Sequence, residues 1–239
     1  ARYYLAATGN NSFGYFGGGY SSNTHSTIDR VDYSNDTATA VAKGPLSAAR
    51  RYFAATSAAA NALPTNTGLL TLLFSASDPR DNVVPQGTDF GYFGGGDGPS
   101  GNVSTIDRVD YSNDTATASP KGPLGAAEPQ AAATSSSSFG YFATSNNPRK
   151  STIQRIDYSN DTATAAAKGP LTSARRYQAG TGNASFGYFG AGDGPSADLT
   201  SVDRIDYSND TATASPKGPL TLARQLLAAT GNQNFGYFG

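Results

Sequence analysis

The stretch Phe13-Gly14-Tyr15-Phe16-Gly17-Gly18-Gly19 decides the fold, because the chain returns to its Phe-Gly-Tyr-Phe four more times, mostly with glycine following. Its first phenylalanine recurs as Phe90, Phe139, Phe186 and Phe235, at intervals of 77, 49, 47 and 49 residues. A second block, Asp-Tyr-Ser-Asn-Asp-Thr-Ala-Thr-Ala, begins at Asp32, Asp110, Asp157 and Asp206, at intervals of 78, 47 and 49. A fixed period near fifty marks a series of supersecondary units that bury their apolar faces on one another.

Working outward from Phe13, each unit reads as four short strands. The first runs from Arg2 to Thr8 and ends at the turn signal Gly9-Asn10. The second is Ser12 to Phe16, with Phe13 and Tyr15 on one face and Gly14 and Phe16 on the other. Gly17 and Gly18 end it, since glycine tolerates the positive φ needed to leave a strand sharply. The third is Thr27 to Tyr33, followed by a turn at Ser34-Asn35-Asp36, whose side chains can cap their own backbone. The fourth is Thr37 to Ala42, closed by Lys43-Gly44-Pro45-Leu46, where proline suits a strand end. The units occupy residues 1–49, 50–124, 125–173 and 174–222, with a half unit at 223–239.

Four short, evenly spaced strands per repeat is the pattern of a propeller blade. The expected fold is therefore all-β, a single β-propeller domain over residues 1–239 with about five four-stranded blades, the last incomplete. Small residues in the first strands, Ala6-Ala7-Thr8, Ala54-Ala55-Thr56 and Ala228-Ala229-Thr230, suit strands crowded around a narrow axis. The last strand, Phe235 to Phe238, is left with an open edge. The expectation is that further repeats of a longer native chain or a neighbouring subunit, including another copy, cover it.

The offsets between Gly17-Gly18, Tyr33, Pro45-Leu46 and Arg50 resemble those of the kelch repeat, of the type in the galactose oxidase central domain. One landmark departs. Where a kelch repeat carries a tryptophan on its fourth strand, this chain has Ala40, Ala118, Ala165 and Ala214, which implies thinner blades packed by Phe and Tyr. The wording of the two repeated blocks is also similar to repeats in predicted virion structural proteins of marine cyanobacterial viruses. That likeness implies an extracellular or virion-surface location.

Composition narrows the classes further. The net charge of -1, with acidic and basic residues interspersed, argues against a nucleic-acid partner, which needs clustered cations. With no cysteine there are no disulfides, thiolate metal sites or cysteine nucleophiles. The apolar run Leu69 to Phe74 is far shorter than the roughly 20 residues that cross a bilayer, so no membrane insertion is expected. Methionine is absent even at position 1, which suggests a processed product or a segment of something longer.

The second-to-third-strand connections differ in every unit while the strands barely change, as in a scaffold that carries a recognition surface. They supply the candidate binding residues Tyr20, Asn23, His25, Asp97, Asn102, Asn146, Arg149, Asp193 and Asp198. Solvent-exposed drift explains the same variation. An insertion at residues 57–88 makes one connection 28 residues longer, and Leu69 to Phe74 within it is expected to pack on the body as an extra strand.

The third unit carries Glu128 for the usual Arg, Gln154 for the usual Asp, and Ala143-Thr144 for the glycine pair. Joint loss of an Arg and an Asp predicts that they pair elsewhere, Arg50 with Asp107 and Arg175 with Asp203. Carboxylates at Asp29, Asp32, Asp36, Asp107, Asp110 and Asp114 could hold calcium with Ser34 and Asn35. But Asp29 and Asp32 project to opposite strand faces, and no EF-hand spacing is present, so no metal or other cofactor is expected. The acceptor sequence Asn35-Asp36-Thr37 is explained by turn geometry rather than glycosylation. His25, the sole histidine, has no partner legible in sequence, so no catalytic residue is assigned and no enzymatic activity is expected. Tyr3, Tyr4, Tyr52 and Tyr177 either stack on sugars or pack between units.

Together these readings predict a non-enzymatic structural or recognition module of an extracellular assembly, such as a virion tail or fibre. Its partners would be protein subunits of that assembly, a receptor or a glycan. The alternatives are a cell-surface glycan-binding lectin module and the non-catalytic propeller of a larger enzyme.

Overall fold

Four antiparallel four-stranded sheets and a two-stranded one, each a run of neighbouring strands, make up the body of the chain. The computed structural model describes residues 1–57, 90–146 and 148–239. Leu69 to Phe74 and nearly all of the insertion lie outside the described residues.

The first sheet contains β1 (Ala6–Gly9), β2 (Phe13–Gly17), β3 (Ile28–Asp32) and β4 (Val41–Lys43) in sequential order. The second contains β5 (Ala54–Ser57), β6 (Phe90–Gly94), β9 (Ile106–Asp110) and β10 (Ser119–Lys121). A two-stranded ribbon, β7 (Asp97–Gly98) with β8 (Gly101–Asn102), decorates its loop. The third holds β11 (Ala132–Ser135), β12 (Phe139–Ala143), β13 (Ile153–Asp157) and β14 (Ala166–Lys168). The fourth holds β15 (Ala179–Gly182), β16 (Phe186–Gly190), β17 (Val202–Asp206) and β18 (Ser215–Lys217). The fifth unit contributes β19 (Ala229–Gly231) and β20 (Gly236–Phe238).

Register repeats with the sequence: Tyr15 faces Arg30, Tyr92 faces Arg108, Tyr141 faces Arg155 and Tyr188 faces Arg204. Strand ends shift by one residue from the sequence reading, so that Gly17 closes the second strand and Gly18 and Gly19 carry the positive φ, and two boundaries shift by four. The fourth strand begins at Val41 rather than Thr37, because Asn35 organises two further turns: its carbonyl accepts from the Ala38 amide and its side chain from the Thr37 hydroxyl. The first strand begins at Ala6 rather than Arg2, because Tyr4 adopts a positive φ of 59° that interrupts an extended run.

The first strands touch in series, β1 with β5, β5 with β11, β11 with β15 and β15 with β19. Residues of all five, among them Thr8, Thr56, Thr134, Thr181 and Thr230, line one cavity of about 260 Å³. Alanine, glycine and threonine permit this proximity, since larger side chains would fill the space. Thr8 and Thr134 donate their hydroxyls to the carbonyls of Thr56 and Thr181 in the next unit.

The core lies between units rather than within them. Tyr15, Ile28 and Leu46 of the first unit cluster with Phe53, Phe93, Val109 and Tyr111 of the second. Phe93 is fully buried against the Cα of Gly17, where an added Cβ would lie 2.9 Å from its ring. Burying such a ring contributes about 1.5–3 kcal/mol. The tyrosine rings stack across the first three joints: Tyr15 on Tyr111, Tyr92 on Tyr158 and Tyr141 on Tyr207, at 4.8–4.9 Å.

A charged clamp repeats at the same three joints. Asp114 of the second unit accepts from Arg30 at 2.7 Å, Lys43 at 3.1 Å and the Tyr15 hydroxyl at 2.9 Å, all in the first. Asp161 takes the same place against Arg108, Lys121 and Tyr92, and Asp210 against Arg155, Lys168 and Tyr141. Burial opposes ionisation of Asp114, yet hydrogen bonds from Lys43, Tyr15 and Arg30 outweigh it and hold the carboxyl below its ordinary range.

Within units, the Arg–Asp pairing read from the sequence is present. Arg50 lies 2.6 Å from Asp107 and Arg175 lies 2.9 Å from Asp203, with all four side chains fully buried. Ser47 and Thr172, from the unit before, hold the same carboxylates through backbone amide and hydroxyl. Arg2 and Asp29 form the counterpart in the first unit at 2.6 Å. In the third unit Glu128 turns instead to Lys150 and to the Thr144 hydroxyl, and Gln154 donates to that same Thr144 oxygen at 3.2 Å. The exchanged pair is thus replaced by a different hydrogen-bonded set.

Candidate functional site

Where each chain segment enters its first strand, one equivalent residue per unit is left-handed: Tyr4, Tyr52, Gln130, Tyr177 and Leu226, with φ of 59°, 56°, 61°, 58° and 59°. A non-glycine residue in this region costs about 1–2 kcal/mol, and such strain collects at ligand clamps and active sites. Hydrogen bonds between units hold it in place. The amide of Tyr52 donates to the Tyr4 carbonyl at 3.1 Å, that of Gln130 to Tyr52 at 2.6 Å, and that of Leu226 to Tyr177 at 3.1 Å.

These five residues converge on a second cavity of about 260 Å³, also bordered by Phe53 and Gln178. Tyr4 and Tyr52 stack with centroids 4.0 Å apart, and Tyr177 lies 6.2 Å from Tyr52. Burial, together with the Tyr4 hydroxyl and ring neighbours, pushes the Tyr52 phenol well above its ordinary range, so it stays neutral at physiological pH. Among the described residues the side-chain oxygens of Gln130 and Gln178 are buried without a hydrogen-bond partner, although Gln178 donates its amide to the Ala143 carbonyl. A neutral aromatic wall suits the face of an uncharged ligand more than an ion.

The variable-loop residues come out largely engaged. Asp97 pairs with Arg51 at 3.0 Å, and that guanidinium covers the ring of Tyr20 at 4.6 Å. Asp193 takes Arg149 and Arg176, both at 2.7 Å; burial opposes its ionisation, and the two arginines overcome this to keep its carboxyl below the ordinary range. Tyr20 exchanges backbone hydrogen bonds with Tyr3. Asn102 faces Asp97 in the β7–β8 ribbon, the Asn23 carbonyl accepts from Ser21, and Asp198 accepts from Gln225 at 3.1 Å. Asn146 is half-buried.

His25 does have a partner that the sequence did not reveal: its Nε2 lies 2.7 Å from the Ser21 hydroxyl. No carboxylate among the described residues bonds its other ring nitrogen, so a Ser-His-Asp relay is not assembled there. Among the described residues no three metal-ligating side chains gather. Nor, among them, is any helix long and apolar enough to cross a membrane.

Sequence reasoning selected Tyr4, Tyr52 and Tyr177 but missed Gln130, Gln178 and Leu226, whose residue types differ from their counterparts and mask a shared position. The inter-unit clamps were also missed. Part of their signal was present, as the recurrence of Tyr15, Arg30 and Lys43 in every complete unit, with the arginine and lysine always 13 residues apart. No protein-family model matches the chain, and no curated protein matches it.

Proposed function

We propose that the chain is a kelch-like β-propeller serving as a non-enzymatic structural and recognition module of an extracellular assembly, a virion tail or fibre being the reading that its repeat wording favours. Support for the propeller comes from five first strands arrayed in series around one cavity. The observation that carries recognition is the tyrosine-lined mouth, where residues of left-handed backbone surround a cavity of about 260 Å³. The loop residues Asp97 and Asp193, tied to Arg51, Arg149 and Arg176, act as a fixed rim rather than as mobile contacts.

Glycan binding is the mode that this mouth suits, through sugar faces stacked on tyrosine. A glycan array probed with the wild-type protein and with Tyr52→Ala tests it. Selective signal that falls at least about tenfold in the variant, the loss of one stacking contact, supports the reading. Signal that is absent or unchanged removes the glycan and leaves protein subunits as the partners.

A further inference from the structure

Three joints between units are filled identically, and a fourth socket of the same construction stands open. Arg204, Tyr188 and Lys217 of the fourth unit occupy the places that Arg30, Tyr15 and Lys43 hold in the first. Yet among the described residues none of the three has an ion pair or side-chain hydrogen bond, and the Arg204 Nε is buried without a partner. Tyr188 is half-buried, whereas Tyr15, Tyr92 and Tyr141 are sealed completely. Gly44, Gly122 and Gly169 each donate their amides to the clamp aspartate's carbonyl of the next unit and pack within 2 Å, at an added Cβ, of an alanine carbonyl there. Gly218 has no described atom within 4 Å of that position.

A second half of the socket lies alongside. Thr221 and Arg224 stand where Thr172 and Arg175 grip Asp203, but they hold no carboxylate among the described residues. A groove of about 350 Å³ bordered by Tyr188, Lys217, Leu220, Phe235 and Phe238 lies here, beside the edge of β20 that has no strand partner among the described residues. The groove and its margins therefore bring together one strand edge without a partner among the described residues, Lys217 with Arg204 on the adjacent β17, Arg224 four residues beyond the lining Leu220, and the half-buried ring of Tyr188.

We propose that this groove is a docking site for a β-hairpin carrying the repeat's own third-and-fourth-strand sequence, with its two aspartates at the spacing of Asp203 and Asp210. The hairpin adds a strand to β20 in the register by which β17 pairs with β16. Its first aspartate meets Arg224 and Thr221. Its tyrosine stacks on Tyr188, and its turn aspartate closes on Arg204, Lys217 and the Tyr188 hydroxyl. Charge complementarity at two points fixes register as well as affinity.

The test uses the 239-residue protein and a labelled synthetic peptide spanning Ser201 to Leu220. Saturable one-to-one binding in a polarisation titration is expected, weakened about tenfold or more by Asp→Asn at either peptide position equivalent to Asp203 or Asp210, the loss of one charge-assisted contact. Arg204→Ala in the protein should reduce affinity for the parent peptide while leaving that for the Asp210→Asn peptide nearly unchanged, a coupling that misfolding would not produce. No binding overturns the proposal. So does equal affinity for the charge-neutral peptides, which would mean unspecific edge pairing. Concentration-dependent self-association that Asp36→Asn abolishes would assign the socket to a second copy instead and likewise overturn it.

Discussion

Replacing Asp114 by asparagine isolates the contribution of one inter-unit clamp, because the fold supplies its own control. Asp114 and Asp36 occupy the same position of the repeat, but Asp114 is clamped by Arg30, Lys43 and Tyr15 whereas Asp36 is exposed and has no ion pair among the described residues. The amide introduced by Asp114→Asn keeps the shape and one acceptor oxygen while removing the charge that two cations share. Hydrogen bonds to a charged group contribute about 1.5–3 kcal/mol each, and breaking a buried pair costs about 3–5 kcal/mol. Arg30 is partly exposed at 24% and can turn to water, which places the expected loss near the lower end, about 2–3 kcal/mol. At roughly 2–4 °C per kcal/mol for a domain of this size, the midpoint should fall by about 4–12 °C. Asp36→Asn should change stability by less than about 0.5 kcal/mol, as for surface sites generally.

The pH dependence gives a second reading of the same variant. Because the folded carboxyl is held below its ordinary value, its stabilisation is present above the unfolded value of about 3.9 and is lost as pH falls through the folded one. The gap between wild type and Asp114→Asn should therefore be full at neutral pH and narrow below about pH 4. Urea denaturation at several pH values measures both. Equal losses for Asp114→Asn and Asp36→Asn, or a gap that persists unchanged in acid, would refute the clamp argument.

Further outcomes follow from the same joints. Gly44→Ala should prevent proper closure and cost more than about 3 kcal/mol, since its Cβ would sit 1.7 Å from the Ala116 carbonyl, while Gly218→Ala should be nearly neutral; thermal melts compare them. Arg175→Ala leaves Asp203 buried and unpaired, so a loss of about 3–5 kcal/mol is expected, read by chemical denaturation. Gln130→Gly relieves a left-handed residue and should raise stability by up to about 1 kcal/mol; a fall in the melting midpoint would show that the Gln130 side chain outweighs the strain.

The repeat period, the all-β class, the order of four strands per unit and the Arg–Asp pairing followed from residues alone. Periodicity and alternation act through local backbone geometry, and internal repeats act as their own alignment. The third unit is the clearest case: the joint exchange to Glu128 and Gln154 exposed a contact because each residue of a buried charge pair makes the other necessary. Tertiary structure alone decided which unit each charge serves. Asp114 lies 84 residues from Arg30, and nothing local marks it as that residue's partner rather than a turn former. The left-handed mouth was equally hidden, since its conformation is imposed on Tyr4, Tyr52, Gln130, Tyr177 and Leu226 by amides and carbonyls of adjoining units, not by their own side chains. Sequence sets what each strand can bury; only the meeting of units settles what is buried against it, because desolvation and pairing of charge depend on neighbours far away along the chain.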